Sequence, residues 1–204
     1  TKMEANALYE ELKHIGIHPL TLHGDMEQFE RNEAILQFRN LSVPILVATD
    51  VAGRGIDIEG LDAIINYEVP IQNERYTHRI GRTGRAGKTG IAITLISHYQ
   101  RERFLELNRP VSPQELPKNI QEEFPESLMR TICIDAGKKE KLRAGDIVGA
   151  LIHECGLTQQ DIGKIDQFDH LSYVAIPREN GENIYKKFIN KPIKGKIFRK
   201  WLLD

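Results

Sequence analysis

Pro44-Ile45-Leu46-Val47-Ala48 decides the fold. Headed by proline and without polar alternation, Ile45 to Ala48 reads as a strand buried on both faces, the kind found in parallel sheets. The same texture extends in both directions. Upstream, Ala5, Leu8, Leu12 and Ile15 share one helical face ahead of Gly16, and Leu20-Thr21-Leu22 reads as a short strand. Asp25 is placed to cap a helix running to about Phe38, with Gln28 in the capping-box position. Downstream, residues 63–67 and 91–96 read as strands on either side of a helix near residues 75–81. Strands alternating with helices predict an open parallel α/β sheet.

From Pro110 the texture changes. Pro113, Pro117 and Pro125, mixed with Glu115, Glu122, Glu123 and Glu126, make a polar connector over residues 110–128. It separates a first domain, 1–109, from a second, 129–204. In the second, strands are expected at 131–134, 164–168, 172–176 and 197–203, with helices at 146–154 and 183–189. That order is βαββαβ, the arrangement of RNA-recognition (RRM-like) domains and of many unrelated proteins. Topology alone therefore names no function.

Composition narrows the classes. The 204 residues are 40% hydrophobic and 28% charged, as in ordinary globular domains, and no run approaches the ~20 apolar residues of a membrane span. No secretory leader is visible, and Cys133 and Cys155 are too few for a disulfide framework or a four-thiolate zinc site, so a cytoplasmic location is expected. The net charge of −1 hides polarity: residues 1–128 carry 14 Lys and Arg against 19 Asp and Glu, whereas residues 129–204 carry 14 against 10. The positive C-terminal part either attracts a polyanion or is a solvated basic surface.

Two segments of the first domain carry chemistry. Arg75-Tyr76-Thr77-His78-Arg79-Ile80-Gly81-Arg82-Thr83-Gly84-Arg85-Ala86-Gly87-Lys88 contains no acid among its cations. On a helix, Arg75, Arg79 and Arg82 would stack their guanidinium groups on one face, where they repel unless an anion or open water faces them. Glycines at 81, 84 and 87 weaken a plain helical face and allow close backbone approach to a ligand. Gly84-Arg85-Ala86-Gly87-Lys88-Thr89 imitates a P-loop but fails because position 82 is Arg, so no segment here should bind and hydrolyse a nucleotide by itself. Ala48-Thr49-Asp50-Val51-Ala52-Gly53-Arg54-Gly55-Ile56-Asp57 leaves the carboxyl end of a parallel strand, where open α/β sheets bind ligands. Thr49 could donate to a phosphate and Asp57 could accept from a ribose hydroxyl; a tight turn whose acids cap neighbouring helices is the alternative.

Together with Leu22-His23-Gly24-Asp25-Met26-Glu27-Gln28-Phe29-Glu30-Arg31, these segments resemble the C-terminal RecA-like half of DEAD-box RNA helicases, over residues 1 to about 108. The resemblance implies a RecA-like parallel sheet, short of its first strand. It implies that Arg82 and Arg85 act as arginine fingers on the γ-phosphate of ATP, bound with Mg by a separate N-terminal RecA-like half. It further implies that Asp57 contacts the ribose, that His78 and Arg79 face that partner domain, and that Gly24, Gln28, Arg31 and Thr49 touch the RNA backbone.

In the second domain only Tyr173 stands where an RNA-recognition domain stacks bases, and packing explains it equally well. The cations lie elsewhere: Lys138, Lys139, Lys141 and Arg143 in one segment, Lys194, Lys196, Arg199 and Lys200 in another. Such loops suit phosphates, with a solvated basic edge as the alternative. Ala136-Gly137-Lys138-Lys139, Gly156-Leu157-Thr158, Asp161-Ile162-Gly163-Lys164-Ile165 and Ile193-Lys194-Gly195-Lys196 resemble the C-terminal RNA-binding domain of DbpA-type DEAD-box proteins. This implies anchoring to a hairpin of large-subunit ribosomal RNA. The expectation is then the second half and RNA anchor of an RNA helicase, monomeric, inactive without its P-loop half and with no metal site of its own. The competing class is a non-enzymatic RNA-binding adaptor using the RecA-like domain as scaffold, against which Arg82 and Arg85 argue.

Overall fold

A computed structural model describes residues 1–50, 58, 60–84, 89–107, 114–116 and 124–203. The chain packs into two units, one formed by residues 1–53 with 123–204 and the other by residues 54–122.

In the first unit, helix α1 (Lys2–His14) opens on a capping box between Thr1 and Glu4 and buries Ala5. Strand β1 (Leu20–Leu22) pairs in parallel with β2 (Leu46–Ala48), Leu22 lying opposite Ala48. Between them α2 runs from Gln28 to Arg39. Its cap is not Asp25. The chain makes a turn first, with Met26 N–H reaching the His23 carbonyl at 3.4 Å, so the helix begins later. Glu30 then reaches back to the Glu27 N–H at 3.0 Å, while Asp25 is paired with Lys2.

The C-terminal part of this unit is a four-stranded antiparallel sheet. Strands β5 (Met129–Ile134), β6 (Ile165–Gln167), β7 (Ser172–Pro177) and β8 (Lys200–Leu202) are ordered β6-β7-β5-β8. Two helices complete the expected βαββαβ order, labelled α5 (Ala144–Cys155) and α6 (Gly181–Phe188) in the numbering of the whole chain. Period-2 alternation sends Ile132, Ile134, Val174 and Ile176 to one face, where they meet Ile147 and Leu151 of α5 and Ile184 and Phe188 of α6. Each such side chain contributes roughly 1.5–3 kcal/mol by leaving water.

The opposite face is also covered. Leu36 of α2 packs on Cys133 and Tyr173, flanked by Leu171, Trp201 and Leu203. The Tyr173 hydroxyl donates to Glu33 at 2.9 Å, and Thr131 is held by the Asn40 amide and the Ser42 hydroxyl, each at 2.8 Å. Burial pushes the Cys133 thiol up from 9.0 to about 12, and burial likewise raises the Tyr173 phenol. A thiol protonated longer in the folded chain stabilises fully below pH 9, and that contribution is lost as pH climbs from 9 toward 12. Relative to Cys133→Ala, the wild-type chain should therefore lose about 1 kcal/mol of stability between pH 8 and 10, read by urea melts at each pH.

The second unit holds β3 (Ala63–Asn66) and β4 (Ile91–Thr94), again parallel, with Ala63 opposite Ile91. Between them lies α3 (Asn73–Ile80); after β4, a 3₁₀ turn at His98–Gln100 leads into α4 (Arg101–Glu106). Tyr76, Val69, Phe104 and Leu107 form its buried cluster, with Ile80 against it. Among the described residues no helix is long and apolar enough to cross a membrane.

Candidate nucleic-acid interface

Parallel pairing of β1 and β2 brings two loops together at their carboxyl ends. Leu22 and Ala48 are register partners and the Thr49 N–H binds the Leu22 carbonyl at 3.0 Å, so Thr49 and the His23-Gly24 turn leave the same end of the pair. Gly24 is exposed there, and α2 starts at the same end with Gln28, exposed, and Arg31, half-buried. Gln28 donates its side-chain amide to Asn32 at 3.0 Å. Among the described residues, His23 Nδ1 and Arg31 Nε are buried side-chain nitrogens without a hydrogen-bond partner. A buried guanidinium N–H such as Arg31 Nε calls for an acceptor, which a phosphate oxygen supplies.

In the second unit the three arginines do not share a helix. α3 stops at Ile80, and Arg82 lies beyond the Gly81 cap. Its backbone is held on both sides: the Arg82 N–H binds the Arg79 carbonyl at 3.2 Å, and the Arg82 carbonyl accepts from Leu61 at 3.1 Å. The Arg79 guanidinium reaches the Asn66 side chain at 3.3 Å and the Glu68 carbonyl at 3.1 Å, tying α3 to the end of β3. His78 is exposed on α3, beside Asn73, Glu74 and Thr77. Asp57 and Arg85 lie outside the described residues. Among the described residues, no three His, Cys, Asp or Glu side chains converge as metal ligands would.

The antiparallel sheet offers a different surface. Tyr173 is 4% exposed and lies edge-on to Phe168, so packing rather than base stacking accounts for it. With the sheet face covered, the polar surface passes to two loops. Lys138, Lys139, Lys141 and Arg143 are exposed on the first, Lys194, Lys196 and Arg199 on the second. The loops meet where Lys194 Nζ approaches the Lys141 carbonyl at 3.4 Å.

Both loops hold lysines in left-handed backbone, Lys141 at φ +59° and Lys194 at +53°. Lys194 and Gly195 (φ +75°) form the tip of a two-residue turn in which Ile193 and Lys196 exchange backbone hydrogen bonds of 2.8 and 3.0 Å. Such turns favour Asn-Gly, so a lysine there costs strain; its exposed ammonium also lies 3.8 Å from Asp146.

Lys200 is the exception among the expected RNA contacts. It is 3% exposed, and its ammonium donates to the carbonyls of Ile189, Lys191 and Phe198 at 3.3, 2.8 and 3.3 Å. It plugs the carboxyl end of α6 rather than facing solvent, and burial lowers its pKa.

Known proteins carry the same two parts. Residues 1–87 match the helicase conserved C-terminal domain and residues 131–200 the DbpA RNA binding domain. The sequence is 40% identical over 207 residues to the ATP-dependent RNA helicase DbpA of Escherichia coli K12, covering 100% of this chain and 45% of that protein. It is 35% identical over 224 residues to the DbpA helicase of Bacillus subtilis 168, covering 96% and 46%. The chain thus spans about half the length of these relatives. Among solved structures, the E. coli DEAD-box protein SrmB, crystallised with regulator of ribonuclease activity A, superposes with a TM-score of 0.51 at 38% identity, over 55% of this chain and 66% of that one.

Proposed function

Because this chain belongs to the DbpA-type DEAD-box proteins, of which it carries the C-terminal helicase domain and the RNA-binding domain, we propose that it forms the second RecA-like half and the RNA anchor of an ATP-dependent RNA helicase. Its substrate is structured ribosomal RNA of the assembling large subunit. The anchor is the pair of lysine-bearing loops, and the motor contacts are Gly24, Gln28, Arg31 and Thr49 on the RNA backbone. Arg82 and Arg85 supply positive charge to ATP, whose phosphates and Mg are held mainly by an N-terminal RecA-like half. His78 and Arg79 border that partner.

One observation carries the anchor: the face on which related folds stack bases is covered by α2, while seven cations stand exposed on adjoining loops. Phosphate contacts then dominate binding. The test is a titration of the chain with fluorescein-labelled stem-loops tiling large-subunit ribosomal RNA, repeated across salt concentrations. Four or more neutralised phosphates give log K a slope near −3 to −4 or steeper against log salt. A flat response overturns the proposal.

A further inference from the structure

The first basic loop contains one acid, Glu140, between Lys139 and Lys141. A carboxylate there opposes the approach of RNA, yet the structure gives it specific partners. Its Oε2 accepts the Gly137 N–H at 2.8 Å, and its Oε1 lies 3.2 Å from Nδ1 of His170. Those two residues sit on the two segments that must stay aligned. The Lys138 and Lys139 N–H groups bind the carbonyls of Phe168 and Asp169, each at 2.9 Å, so the lysine loop is stitched to the turn before β7. Gly137 lies at the seam. A Cβ there would come within 2.3 Å of the Phe168 carbonyl oxygen, so only glycine fits where the loop meets the turn.

We infer that Glu140 is a positioning residue for RNA: by clasping the Gly137 N–H and His170 it holds the 137–143 loop against the 168–170 turn, leaving Lys138 and Lys141 exposed and Lys139 exposed beside Asp169, 3.6 Å away. This rests on the RNA-anchor reading above. The carboxyl is held below its usual range, first by the Gly137 N–H and then by His170, as expected of a group whose charged form makes the contacts.

The role has a signature opposite to that of simple charge. Removing Glu140 adds one positive charge to a polyanion site, which by electrostatics alone tightens binding and steepens its salt dependence. A positioning role predicts the reverse. The experiment uses the full 204-residue chain and the tightest-binding stem-loop from the ribosomal set, with Glu140→Ala, Glu140→Gln and Lys138→Ala/Lys139→Ala variants. Glu140→Ala should bind about three- to tenfold more weakly, with a shallower salt slope and faster hydrogen exchange at the Gly137 amide. Glu140→Gln keeps an acceptor oxygen and should stay within about twofold of wild type. Binding of Glu140→Ala equal to or tighter than wild type overturns the inference, as does Glu140→Gln falling as far as Glu140→Ala. If the double lysine variant loses affinity while Glu140→Ala does not, the anchor stands and this role falls. If the double lysine variant binds as wild type, the anchor reading itself fails.

Discussion

Arg82→Ala, in the chain joined to a P-loop-bearing RecA-like half, should lower RNA-stimulated ATP hydrolysis about 10³- to 10⁵-fold while leaving RNA affinity near wild type. Phosphoryl transfer needs little covalent help from a protein; it needs charge placed against the oxygens that gain it. Arg82 is built for placement rather than reach. It follows the last turn of α3, and its own peptide groups are bound to Arg79 and Leu61, so the side chain starts from a fixed point. Arg82→Lys should recover little, because an ammonium cannot present the guanidinium fork to two phosphate oxygens. A steady-state ATPase assay with saturating RNA decides it: hydrolysis at the wild-type rate in Arg82→Ala rejects the finger role, and absence of RNA-stimulated hydrolysis in the unsubstituted joined protein favours the adaptor reading.

Neutralising Lys138, Lys139, Lys194 and Lys196 together should weaken stem-loop binding about 10²- to 10³-fold and reduce the salt slope by about four. These lysines are exposed on the two adjoining loops, and each removed phosphate contact removes one released counterion. Lys194 permits a sharper version. Asn is better suited than Lys to the first position of its two-residue turn, so Lys194→Asn alone should raise stability by about 0.5–1 kcal/mol while weakening RNA binding. Opposite signs in the thermal melt and the titration separate a lysine kept for its charge from one kept for the fold. An unchanged affinity in the quadruple variant removes these loops from the interface.

Much of this was legible in the residues because it is local. Ile45 to Ala48 announced a parallel strand, and β2 pairs in parallel there, but the expected burial on both faces does not follow: Val47 is buried whereas Ala48 is exposed. The alternation of Ile132, Ile134, Val174 and Ile176 gave one face of the antiparallel sheet directly. What stayed hidden depends on distant contacts. Nothing near Tyr173 in sequence announces that Glu33 and Leu36 cover it, since they come from the other end of the chain. Lys200 reads like its basic neighbours; only the pairing of β8, Lys200 opposite Ile134, turns its ammonium toward the carbonyls at the end of α6. Asp25-x-x-Gln28 fits the capping pattern, but the turn at Met26 delays the helix, so the cap falls on Glu27, a residue type the pattern does not favour, with Glu30 reaching back to its N–H.

The seating of α2 on the sheet makes residues 129–204 a poor piece to excise. Released from α2, the fragment would turn Cys133, Tyr173 and Trp201 to water as one oily surface and strip Thr131 of both its partners. Such surfaces drive self-association, so a trimmed anchor would clump and its apparent grip on RNA would reflect aggregates as well as single molecules.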